Sequence, residues 1–211
     1  MLILNETSQK LILKEMSRKG RFHHTYAHVC DILEVLHANK EKFSNFRAAE
    51  LAAIFHDIVY EVDERYKSNE LESCRKFLEV IYNDNPNLSY DEEDPDYQTV
   101  KLTLAMIGCT QHHSLDGIKD PKSFTAAEIN DIKMFLDADI SVLARSRERV
   151  MQFEKDIRAE FSCYDDEAYR KGRADVLRSF LQRKNIFLSS IDESWEGIAR
   201  SNLLFILDSL K

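Results

Sequence analysis

Turn-forming residues are scarce in this sequence: five Gly and three Pro among 211 residues. Few chain reversals favour long helices over many short strands. No apolar run approaches the roughly 18 residues of a membrane span. The opening stretch, MLILNETSQKLILKEM, is too polar for a signal peptide and its apolar part is too short. The four Cys (Cys30, Cys74, Cys109, Cys163) form no CxxC pair. They read as reduced core residues of a cytoplasmic protein, with no disulfide framework and no zinc knuckle. No Lys/Arg cluster breaks the mixed charge pattern, and the formal net charge is −8. That removes the electrostatic footprint of duplex nucleic-acid binding. A Gly-rich phosphate loop and a nucleotide fingerprint are also missing. A small phosphorylated ligand stays open, because a local pocket can be basic or metal-bearing in an acidic protein.

What the sequence does have is helical periodicity nearly everywhere. Apolar spacing predicts helices over 6–19, 25–39, 46–58, 69–83, 97–113, 141–161, 165–184 and 192–210. Thr125 and Glu128 fit a capping box for a further helix running toward Asp139. The segment 46–58 is apolar almost all round, as a central buried helix would be. The acidic, proline-bearing stretch 84–96 and the stretch 114–124 read as loops. Trp195, Phe180 and Phe187 recur with Leu at helical spacing and read as core. The expected fold is all-α, a single domain over 1–211 of consecutive antiparallel helices around one core.

Six of the seven His lie in three clusters: His23, His24 and His28; His56; His112 and His113. His28 shares a helix face with Ile32 and Leu36, so it points inward. His56 and Asp57 end the most apolar helix. Asp139 sits in FLDADISVL, a carboxylate where a core residue is expected; Asp137 offers the same chemistry two residues earlier. Burying an ionised carboxylate without a partner is costly. An Arg, a helix dipole or a metal cation would each relieve it. One divalent cation would answer all three anomalies together, and two imidazoles with two carboxylates suit Mn, Fe, Co, Ni or Zn.

The segments HVCDI (28–32), FHDIV (55–59) and DADIS (137–141) resemble the signature of the HD superfamily of metal-dependent phosphohydrolases. Ala138-Asp139 matches that family's Ala-Asp, so the resemblance assigns the last ligand to Asp139. The metal set it implies is His28, His56, Asp57 and Asp139. A wider set of segments is similar to a subgroup of predicted HD hydrolases of about this length: RFHHTYAH (21–28), FHDIVYE (55–61), SNELES (68–73), TQHH (110–113), FLDADISVLA (135–144), GRADVLRSFLQRKNIF (172–187) and ARSNL (199–203). Phe22 and Phe161 depart from the Tyr usual in that subgroup. The resemblance implies an HD-type bundle with a buried metal site, its core over about 21–145 and helices 146–211 packed on it.

The activity so implied is attack of a metal-activated water on a small phosphorylated molecule, a nucleotide among the options. Asp57 would bind metal and orient the water. His24, four residues before His28, would share its face if the helix begins by Thr25, and could protonate a leaving group. Glu70 in SNELES is a candidate acid/base group, or a first-turn carboxylate behind an N-cap at Ser68. His113, Arg173 and Arg200 are candidate substrate contacts. Arg173, Arg183 and Arg200 suit phosphate equally with pairing to buried carboxylates such as Glu160 or Glu196. His113 or His24 could also serve a second ion, as in HD relatives that are di-iron oxygenases. A non-catalytic ligand-binding module is the third reading. His112 reads as exposed, and an exposed amphipathic helix could pair in a homodimer.

Overall fold

The computed structural model describes residues 2–62 and 68–210. Among them are nine α-helices and no strand: α1 (Glu6–Met16), α2 (Tyr26–Ala38), α3 (Phe46–Phe55), α4 (Asn69–Asp84), α5 (Pro95–Cys109), α6 (Ala126–Asp139), α7 (Arg147–Glu160), α8 (Asp166–Gln182) and α9 (Trp195–Ser209). Side-chain caps start most of them. Asn5, Asn45, Ser68, Asp94, Ser146 and Asp165 each accept from a first-turn backbone N–H. Thr125 and Glu128 form the reciprocal capping box expected of them. No helix of the described residues is long and apolar enough to cross a membrane.

Helix α3 is central. Ala48, Ala49, Ala52 and Ala53 are 0% exposed, as are Leu51 and Phe55. Small side chains on several sides let α2, α4, α5 and α6 all pack against it. The buried apolar residues form two clusters. One runs from Leu2 to Ala138 and takes in Ile191; the other runs from Ile140 to Ile206. Trp195 packs against both. Asp139 therefore lies at the seam between them.

The structure departs from the periodicity in several places. The central helix stops at Phe55, leaving His56 as its C-cap and Asp57 beyond it. The segment read as one helix over 141–161 is divided: a 3-10 stretch covers Ile140–Ala144, Arg145 is extended, and Ser146 caps α7. The break is held by Asn202, whose amide donates to the carbonyls of Leu143 (2.8 Å) and Arg145 (3.0 Å). Of the four free Cys, Cys109 is buried and Cys74 half-buried, but Cys30 and Cys163 are exposed rather than core. Cys30 follows His28 by two residues, which turns it to another side of α2. Phe187 is buried as expected, whereas Phe180 is only half-buried and faces a cavity.

Candidate metal centre

Three elements bring the histidines and carboxylates together. Helix α2 presents His28, buried, with Nε2 3.0 Å from Asp139 Oδ1 at the end of α6. His56 continues the α3 backbone, donating its N–H to the Ala52 carbonyl at 2.8 Å. Its ring Nδ1 lies 3.1 Å from the Ala53 carbonyl. A carbonyl accepts only, so Nδ1 carries a hydrogen, and Nε2 is the nitrogen left to face the centre.

That Nε2 is buried and makes no hydrogen bond. It faces Asp57 Oδ2 at 2.9 Å and Asp139 Oδ1 at 3.4 Å. Two carboxylate oxygens so close to Nε2 require positive charge there, a proton on the ring or a metal cation in its place. Burial alone would lower the His56 pKa, yet the charges of Asp57 and Asp139 carry it well above the ordinary imidazole value. Burial would likewise raise both carboxyls, but His56 beside them holds each far below its usual range. The centre thus gathers negative charge around His56. One donor atom each from His28, His56 and Asp139 lie within 4.8 Å of one another, and this buried group can hold a metal ion.

No protein-family model, curated protein or solved structure matches the chain.

His24 reaches the centre by a route other than the shared helix face. Helix α2 begins at Tyr26 with Thr25 as N-cap, so His24 precedes it. Glu160, at the end of α7, places it. Its Oε1 accepts from the backbone N–H of Phe22 (2.8 Å), His23 (2.8 Å) and His24 (2.9 Å). Its Oε2 stands 2.6 Å from His24 Nδ1. Burial would raise the Glu160 pKa, but the His24 ring and these backbone donors outweigh it and hold the carboxyl below its ordinary value. Nδ1–H of His24 therefore donates to Glu160. Its Nε2 faces Asp57 Oδ2 at 4.0 Å. Tyr60 stacks on the other side of the ring, with centroids 3.8 Å apart. Arg21 fastens the segment to the end of α3 through the carbonyls of His24 (3.0 Å), Asp57 (2.6 Å) and Ile58 (3.0 Å).

His113 approaches from the opposite side, Nε2 2.9 Å from Asp139 Oδ2. Its backbone is left-handed, at φ 44°. Arg183 donates to the carbonyls of both His112 and His113 at 2.8 Å, holding that strained turn in place. His112 itself is exposed. His23 is buried, and desolvation with the neighbouring His28 and His24 pushes its pKa far down, so it is neutral.

The expected substrate contacts divide. His113 and Arg173 line the cavity above the centre, as does Glu70, the candidate acid/base group. Glu70 also accepts from Ser68 Oγ (3.1 Å), and Ser68 caps α4 by accepting from Leu71 N–H. Arg173 pairs through two nitrogens with buried Glu154, Nε to Oε2 at 3.0 Å. Arg200 is not among the lining residues. It pairs with Glu196 and donates to the carbonyls of Leu181 in the last turn of α8 and of Arg183 and Lys184 beyond it. Asp137, the alternative to Asp139, turns away and accepts from the Leu188 and Ser189 N–H groups at 2.7 Å each. Sequence reasoning gave Arg21, Tyr60 and Glu160 no part at the centre; only the juxtaposition of RFHH with a carboxylate 136 residues away reveals them.

Proposed function

We propose that the chain is a metal-dependent phosphohydrolase of the HD type, acting on a small phosphorylated molecule. The carrying observation is the buried, unpartnered Nε2 of His56 facing two carboxylates. It stands beside a cavity that His24 also lines. His28, His56 and Asp139 would hold one divalent ion, with Asp57 as fourth ligand; the donor set suits Mn, Fe, Co, Ni or Zn. Bound there, such an ion supplies the charge that acidifies a water and neutralises phosphoryl oxygens. The side chains around it do the remaining work. Asp57 orients the attacking water. His24, fixed by Glu160 at Nδ1, carries the proton at Nε2 to the leaving oxygen. Glu70 and His113 flank the phosphoryl group.

The test is metal analysis of protein purified without chelators, then a panel of phosphomonoesters and phosphodiesters with each metal. We expect about one transition-metal ion per chain on a ligand set of this kind. Turnover should be lost in Asp57→Ala and Asp139→Ala. Protein that carries no metal, and gains no activity with Mn, Co or Ni, would sink the proposal. One observation favours a second reading. His113 meets the Asp139 oxygen that His28 and His56 leave free, Oδ2. A second iron there would make an oxygenase, recognised by iron content and oxygen consumption.

A further inference from the structure

We propose that the preferred substrate is a phosphate monoester with an alkyl or aryl body, and that nucleotides are disfavoured. The inference rests on the phosphohydrolase reading for the phosphate end and on the cavity for the rest. The cavity holds about 620 Å³, the size of a small-molecule site. Its two faces differ in kind. One carries the histidines and carboxylates of the centre, with Tyr60, Thr110 and Gln111 beside them. The other is apolar and comes from α7, α8 and α9: Phe153, Ile157, Phe161, Leu177, Phe180 and Leu203.

That wall offers a ligand little to hydrogen-bond. Among the described residues it has two guanidinium groups, and both are engaged. Arg173 is paired with Glu154, and Arg183 donates to the carbonyls of His112 and His113. The Ser179 hydroxyl donates back to the Val176 carbonyl of its own helix at 2.7 Å. A ribose or a base edge pressed against this wall would give up water contacts and regain none. Further phosphates would find Arg173 already neutralised by Glu154 and the terminal nitrogens of Arg183 already held by backbone carbonyls. An alkyl or aryl group, by contrast, gains from each buried carbon.

The test uses n-alkylphosphonates from methyl to hexyl, which have no ester bond to cleave, binding to Mn-supplemented protein by calorimetry. The matching alkyl phosphates, AMP and ATP are assayed for hydrolysis alongside. Affinity should rise about three- to fourfold per methylene, on the order of several hundredfold from methyl to hexyl. Hexyl phosphate should exceed AMP in kcat/KM by at least about tenfold, and ATP should be no better than AMP. Phe161→Ala and Phe180→Ala should each lower the hexyl-to-methyl affinity ratio several-fold, which a general loss of fold would not do selectively. A flat chain-length dependence, tighter binding of AMP or ATP than of hexylphosphonate, or an unchanged ratio in both variants would overturn the proposal. Absence of turnover on every ester would instead count against the phosphohydrolase reading, since the phosphonate slope is measured without turnover.

Discussion

At the scale of single residues, the side chains that matter most are those whose polar atoms have one place to go. His56 is pinned at Nδ1 by a carbonyl, so its other nitrogen can only meet the two carboxylates. Asp139→Ala removes the carboxylate that His28, His56 and His113 all approach. Affinity for Mn or Co, measured by titration, should fall by more than about 100-fold, beyond the 10- to 100-fold typical of an outer partner. Glu160 is a different case, since it faces backbone. Its charge is stabilised by three N–H groups and an imidazole, so Glu160→Gln should cost about 2 kcal/mol in urea unfolding at neutral pH. The folded-state pKa of this carboxyl lies below the unfolded one. Its stabilisation is therefore present above the unfolded value and fades as pH falls through the folded one. The gap between parent and variant should narrow in acid. A gap constant from pH 7 down to pH 3 would contradict this assignment. These two residues also differ in legibility. Asp139 interrupts an apolar run, so its oddity shows along the chain. Glu160 ends an ordinary amphipathic helix, and its partners lie 136 to 138 residues away.

At the scale of elements, α3 decides how closely the ligand-bearing helices approach. Its four fully buried alanines leave no room for branching, and Ala49→Leu should cost about 1–3 kcal/mol by overpacking. A melt within about 0.5 kcal/mol of the parent, the range of ordinary surface substitutions, would mean the helix is less tightly enclosed than its burial indicates. The capping box is a local device: Thr125→Ala should cost about 1 kcal/mol with metal affinity unchanged. Both features could be read from sequence, because helix periodicity and cap chemistry are local. The division of 141–161 could not. SVLARSRERVMQF keeps a helical apolar spacing across the break, and the amide that stabilises the extended Arg145 comes from Asn202 on α9. The end of α3 escaped for a similar reason. Apolar spacing runs on through Ile58, while Arg21 takes up the carbonyls of Asp57 and Ile58 from outside.

For the whole molecule, metal binding and folding are linked wherever the ligands converge only in the folded chain. An ion held by side chains from α2, α6 and the end of α3 binds the folded chain and has no such site in the unfolded one. Mn or Co at 100 times the dissociation constant should raise stability by about 2.7 kcal/mol. Thermal melts should shift up with metal and back with chelator, and Asp139→Ala should lose the shift. Equal shifts in parent and variant would place the bound ion elsewhere. The order of parts along the chain carries one more consequence. His28, His56, Asp57, His113 and Asp139 all precede Ile140, while the apolar wall of the cavity, from Phe153 to Leu203, lies wholly after it. The candidate ligands and the apolar wall are thus encoded on separate stretches of sequence. Exchange of the C-terminal stretch between variants would retune what enters the cavity only where Glu160 and Arg183, which place His24 and His113, are kept.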